Sequence, residues 1–179
     1  MKSSDTIKVW FAPVLSRGKL HLELLPYNFP GETEAGARIM VAKLRAILNV
    51  RFSGDNAPKV LFTDRGNGFY ESYSGNITDG YREALREHGL KAFMRSDASI
   101  QPGALQELML HETAMAWVRQ RLKRTVVKEP WHESIEAYGT RLKGVAAYIN
   151  ANYDVDGLCR GLPYRVAEVV RRKGDRLPK

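Results

Sequence analysis

The chain reads as an α/β protein, a small mixed sheet with a helical C-terminal extension, and three features lead there. Short apolar or alternating segments and longer helical ones follow as strand, strand, helix, strand, helix, strand. That order builds a sheet with helices packed on it. The third strand candidate, 59–63 (KVLFT), runs straight into Asp64 and a glycine-containing break, as expected of an interior strand buried on both faces. From residue 104 onward only helical periodicity remains.

Residues 7–14 (IKVWFAPV) are apolar apart from Lys8. Residues 19–25 (KLHLELL) alternate, with Leu20, Leu22 and Leu24 on one face and His21 and Glu23 on the solvent face. Ser16-Arg17-Gly18 is a hairpin-sized turn between them. A helix starts near Thr33, a suitable cap, with Glu34 in its first turn. Ile39, Met40, Leu44, Ile47 and Leu48 give it a buried face and leave Arg38, Lys43 and Arg45 in water. After a polar and aromatic loop at 66–75, residues 78–88 form a short amphipathic helix with Tyr81, Ala84 and Leu85 inward, closed by Gly89. Residues 90–94 make the last strand.

Pro102 stands near the start of a long helix that ends about residue 125, with Leu105, Leu108, Met109, Ala116, Trp117 and Leu122 as its apolar set. Pro130 separates it from a helix over 132–153, and a third spans 163–173. Trp117 and Trp131 are read as packing residues rather than base-stacking platforms. The organisation expected is a core over 1–125 with 126–179 as a helical extension of the same domain.

Composition bounds the function. The 179 residues suffice for one sizeable core, and no stretch approaches the ~20 apolar residues of a membrane span. The start, MKSSDTIKVWF, lacks the pattern of a signal peptide. A single cysteine, Cys159, excludes an internal disulfide and a cysteine-based zinc site. The net charge of +8 points to polyanions, nucleic acid first among them. Much of the excess lies in 119–124 (RQRLKR) and 171–173 (RRK). No phosphate-binding glycine loop of the nucleotide-triphosphate or dinucleotide kind occurs.

Two carboxylates stand out in this order. Asp64 closes an interior strand, and Glu107 falls in the first turns of the helix after the next strand. Acids so placed can converge on one divalent ion, and Mg²⁺ takes one or two carboxylates together with waters and phosphate oxygens. Two such ions can activate a nucleophile and stabilise the leaving oxygen of a phosphodiester.

The segments LFTDRGNGF and SDASIQPGALQELMLHE resemble the catalytic domain of DDE transposases of the mariner superfamily, whose fold is ribonuclease H-like. The resemblance covers about residues 7–125. It implies Asp64 and Glu107 as catalytic metal ligands for Mg²⁺ or Mn²⁺, and Asp97 and Pro102 as the loop residues. Asp97 and Glu112 stay open as alternatives for the third ligand. It further implies DNA as the partner, the nucleus as the place of action, and Arg65, Arg119, Arg121, Lys123 and Arg124 as phosphate contacts. A homodimer stays open, and no membrane partner is expected.

The sequence departs from the family's pattern. Asparagine after the second aspartate is replaced by Arg65, and the span between Pro102 and Glu107 is longer. Gly54-Asp55-Asn56-Ala57-Pro58 imitates a family signature, but a helix precedes Asp55 where a strand is needed. The strand bearing the family's first catalytic Asp has no counterpart, since Asp5 lies in a polar leader. That strand belongs between the hairpin and the Asp64 strand, so the expectation is two unpaired edges and a truncated, inactive copy. A non-catalytic nucleic-acid-binding α/β domain is the alternative. His111 beside Glu112 reads as a helix-surface pair, because one histidine does not make a metal motif.

Overall fold

The computed structural model describes residues 9–26, 28–51, 59–61, 63, 68–71, 76–92, 108, 110–125, 127 and 132–173. Among these the order is β1 (Phe11–Ser16), β2 (Lys19–Leu24), α1 (Glu34–Arg51), β3 (Val60–Leu61), α2 (Asp79–Glu87), β4 (Lys91–Ala92), α3 (Leu110–Arg124), α4 (Ile135–Asn152), α5 (Val155–Arg160) and α6 (Leu162–Arg171). The class is mixed α/β, as the strand–helix order requires.

β1 and β2 form an antiparallel hairpin in the register Ser16↔Lys19 to Phe11↔Leu24. Arg17 and Gly18, at φ 45° and 71°, both take the left-handed conformation. That is the two-residue turn whose twist suits a hairpin. Gly18 is required twice over, because a Cβ there would stand 2.5 Å from the Asp156 carboxylate of α5. The alternation carries Leu20 and Leu22 into a core with Ala114, Val118, Leu142, Val145, Ile149 and Val155 of the later helices. Ala12 and Val14 lie on the opposite face of β1 and are buried as well. His21, expected in water, is half-buried with its Nε2 inside.

β3 and β4 form the second pair, and it is parallel. Thr33 caps α1 by accepting the Gly36 N–H at 3.1 Å. Ala37, Val41 and Leu48 of α1 join Phe69, Tyr70, Tyr81, Ala84, Leu85 and Leu90 in a second core. The predicted Met40 and Leu44 pack against its edge. α2 begins at Thr78, whose hydroxyl accepts the Tyr81 N–H, and Gly89 follows its end at φ 62°. Gly80 lets α2 approach α1 closely enough for its N–H to donate to Glu34 Oε2 at 2.7 Å. Arg38, expected to be solvated, pairs with Glu83 and Glu87 of α2.

One continuous sheet is not what the described residues form. β1 pairs with β2 and β3 with β4, as two separate two-stranded sheets. The consequence for β3 corrects the expectation of a strand buried on both faces. Val60 is 55% exposed, and no described strand adjoins β3 on the side away from β4.

The C-terminal helices depart in register and number. The buried stripe of α3 is Leu110, Ala114 and Val118, whereas the predicted Ala116 is exposed. Trp117 packs with Tyr153, ring centroids 4.8 Å apart, as a packing residue should. The expected last helix is preceded by a short one, α5, because Asp154 accepts the Gly157 N–H at 2.7 Å and starts a new turn. Trp131, Leu105 and Met109 lie outside the described residues.

Candidate functional site

Of the predicted ligands and phosphate contacts, Asp64, Arg65, Asp97 and Glu107 lie outside the described residues, as does the Asp55 alternative. What the structure positions is the surroundings. β3 ends at Leu61, and Thr63 beyond it is half-buried. The Tyr81 phenol is fully buried in the α1–α2 core, and burial raises its pKa, an effect partly opposed by the Thr63 hydroxyl. Tyr81 therefore stays a neutral wall rather than a titrating group.

Glu112 can be placed. It sits exposed in the first turn of α3, 3.6 Å from His111 Nε2 and 4.0 Å from Arg119. Both neighbours are nitrogen-bearing side chains of its own helix, and Arg119 is the cation of the two. Among the described residues no group of three His, Cys, Asp or Glu side chains converges. No chemical step through a metal is derived from them.

The basic residues of α3 are placed more fully. Arg119 and Lys123, four residues apart, share one face, with Arg124 beside them, and all three are exposed. Lys123 and Arg124 have no carboxylate within ion-pair distance among the described residues, while Arg119 has only the loose contact with Glu112. Arg121 behaves differently. Its guanidinium lies 3.6 Å from the centre of the Tyr148 ring on α4, which ties the two helices together. The other basic cluster carries one internal counter-ion. Glu168 bonds both Arg171 and Arg172, and these hold its carboxyl down to about 2.

No protein-family model matches this chain, and no curated protein or solved structure is significantly similar to it. The site rests on its own geometry. Between the two strand pairs lies a cavity of about 370 Å³, bounded by Ala12–Ser16 of β1, by Val60 and Leu61 of β3 with Thr63 beyond it, and by the α1 residues Met40, Lys43, Leu44 and Ile47. Leu110, Cys159 and Leu162 close it from the C-terminal helices. Burial raises the Cys159 thiol, a shift that a hydrogen bond to the Gly18 backbone only partly offsets, so thiolate chemistry is disfavoured there.

Sequence reasoning missed two residues that matter. Asn150 accepts the Leu20 N–H at 2.8 Å and donates to the Leu20 carbonyl at 2.9 Å, covering the outer edge of β2. Glu133 makes two bonds to Arg141, at 2.8 and 2.6 Å, just ahead of the Ser134 cap of α4. For Asn150 no local signal exists, since a polar residue late in a helix reads as solvated. For Glu133 the eight-residue separation from Arg141 hides the pair from helical spacing.

Proposed function

We propose that this chain is a DNA-handling α/β domain that holds duplex DNA through phosphate contacts from the C-terminal half of α3. The observation that carries the reading is the exposed face of Arg119, Lys123 and Arg124, where Lys123 and Arg124 lack a described counter-ion. Cations stacked i, i+4 repel by ~0.2–0.5 kcal/mol, and a polyanion on that face removes the cost. The negative end of the helix dipole stabilises the same charges, so the face is prepared without a ligand and neutralised by one.

The ribonuclease H-like reading supports this assignment through order alone. A hairpin, a helix, a strand three residues ahead of an aspartate in sequence, a helix, a parallel strand and a basic helix is the succession expected of a DDE core. On that reading Asp64 and Glu107 are metal ligands by descent, and catalysis needs a third carboxylate beside them.

The test is fluorescence anisotropy of a labelled 20-base-pair duplex across a salt series. Two phosphate contacts contribute about 2 to the slope of log affinity against log salt, so Lys123→Glu with Arg124→Glu should reduce it by that amount. Binding that is unchanged in the double variant overturns the assignment. Mg²⁺-dependent nicking of supercoiled plasmid, lost in Asp64→Asn, would replace it with the catalytic reading.

A further inference from the structure

The cavity between the two strand pairs has walls of one chemistry and a rim of another. Val41, Leu48 and Phe69 line it with buried apolar side chains. Ser16, Thr63 and Cys159 add two hydroxyls and a thiol, and burial keeps that thiol in its neutral form. The groups that can carry charge are both basic. They are Lys43 of α1 and His111 of α3, and among the described residues no Asp or Glu joins them in the lining. Lys43 is exposed and the His111 side chain is 32% exposed, so both stand where the cavity meets solvent. Glu112 lies 3.6 Å from His111 Nε2 but outside the lining. Lys43 has no carboxylate within ion-pair distance among the described residues.

We propose that this cavity binds an aliphatic monocarboxylate of the fatty-acid class, its tail against Val41, Leu48 and Phe69 and its carboxylate at the rim beside Lys43. The size suits a single short chain, since about 370 Å³ stands near the lower end of the ~300–1,000 Å³ of small-molecule sites. Such sites are mostly apolar, with a few polar groups that fix the ligand's orientation, and the basic rim supplies these here. Each methylene taken out of water contributes roughly fourfold to affinity, so the tail supplies most of the binding. The head supplies the choice of ligand. A carboxylate at the rim keeps part of its hydration and meets a cation, so no unpaired charge enters the apolar interior. A neutral alkane or alcohol leaves Lys43 unused, and an alkyl ammonium is repelled by it. The inference is independent of the DNA reading, because Arg119, Lys123 and Arg124 do not line the cavity.

The experiment titrates the full chain with decanoate, decanol and decyltrimethylammonium, which share a tail and differ in the head. Calorimetry should show one saturable site for decanoate, with octanoate about tenfold weaker for its two missing methylenes. Decanol should bind about tenfold more weakly than decanoate, and the ammonium more weakly again. Cys159 reports where the ligand sits, because it is the chain's single cysteine and part of the cavity lining. Decanoate at about ten times its dissociation constant leaves about one cavity in eleven open, so alkylation of Cys159 by iodoacetamide should slow about tenfold. Lys43→Met keeps an apolar stem at an exposed position, so the melting temperature should stay put while most of the preference for decanoate over decanol is lost. No saturable decanoate binding, binding that leaves Cys159 alkylation unchanged, equal affinity for the three heads, or a decanoate preference undiminished in Lys43→Met each overturns the proposal.

Discussion

Two side chains do work here that no secondary-structure element does. The carboxamide of Asn150 supplies Leu20 with an acceptor and a donor, as a neighbouring strand would. Asn150→Ala leaves both groups without those partners and should lower stability by about 1–3 kcal/mol in urea unfolding. Asn150→Asp keeps the acceptor and should recover part of that. The Glu133–Arg141 pair carries a pH signature. Two hydrogen bonds from the guanidinium hold the Glu133 carboxyl below the usual carboxylate range, although its burial opposes this. A depressed folded value means the pair stabilises the protein fully above the unfolded carboxylate value of ~4.3 and loses that contribution as pH falls through the folded value. Wild type and Glu133→Gln should therefore differ most in unfolding free energy near neutral pH, and their curves should converge in acid. A constant difference down to pH ~2 would show that the pair acts through packing instead.

At the scale of elements, the best-specified one is α2. Thr78 accepts from Tyr81 N–H at 3.3 Å and donates its own hydroxyl to the Gly68 carbonyl at 3.0 Å. Thr78→Ala should cost ~1–2 kcal/mol and Thr78→Ser much less, measured by thermal unfolding followed by circular dichroism. This helix was legible in the sequence because its three inward residues and Gly89 are local signals, although Thr78, read as its first residue, is its cap. The hairpin was legible for the same reason, through alternation and Arg17-Gly18. The stripe of α3 was not. Ala114 and Ala116 are the same residue, and only the approach of the hairpin and α4 decides which one is buried. Nor could sequence place Val60, since exposure of a strand residue depends on its neighbour in space, and the local run is equally apolar either way. The predicted acids at 64 and 107 remain a statement about sequence order, while Glu112, the one acid placed, serves its own helix.

For the molecule as a whole, the two cores are the governing fact. Leu20, Leu142 and Ile149 anchor one, and Val41, Tyr81 and Leu85 the other. Leu142, fully buried, should lose about 2–5 kcal/mol on replacement by Ala. With two clusters and no sheet continuous between them among the described residues, that loss should fall mainly on one half. Amide exchange should accelerate in α3 and α4 far more than in α1 and α2, and uniform acceleration would show that the halves unfold as one cooperative unit.

The carboxamide over β2 also sets how far strand addition can go. A sheet that gains a strand at an open edge presents a new edge to the next chain, and repetition of that step makes fibres. On the hairpin's outer side that step is obstructed at Leu20, because Asn150 occupies both its N–H and its C=O. A side chain of the protein's own helix thus does for β2 what a charge or a bulge does on other open edges, and makes the hairpin a poorer template for a second copy.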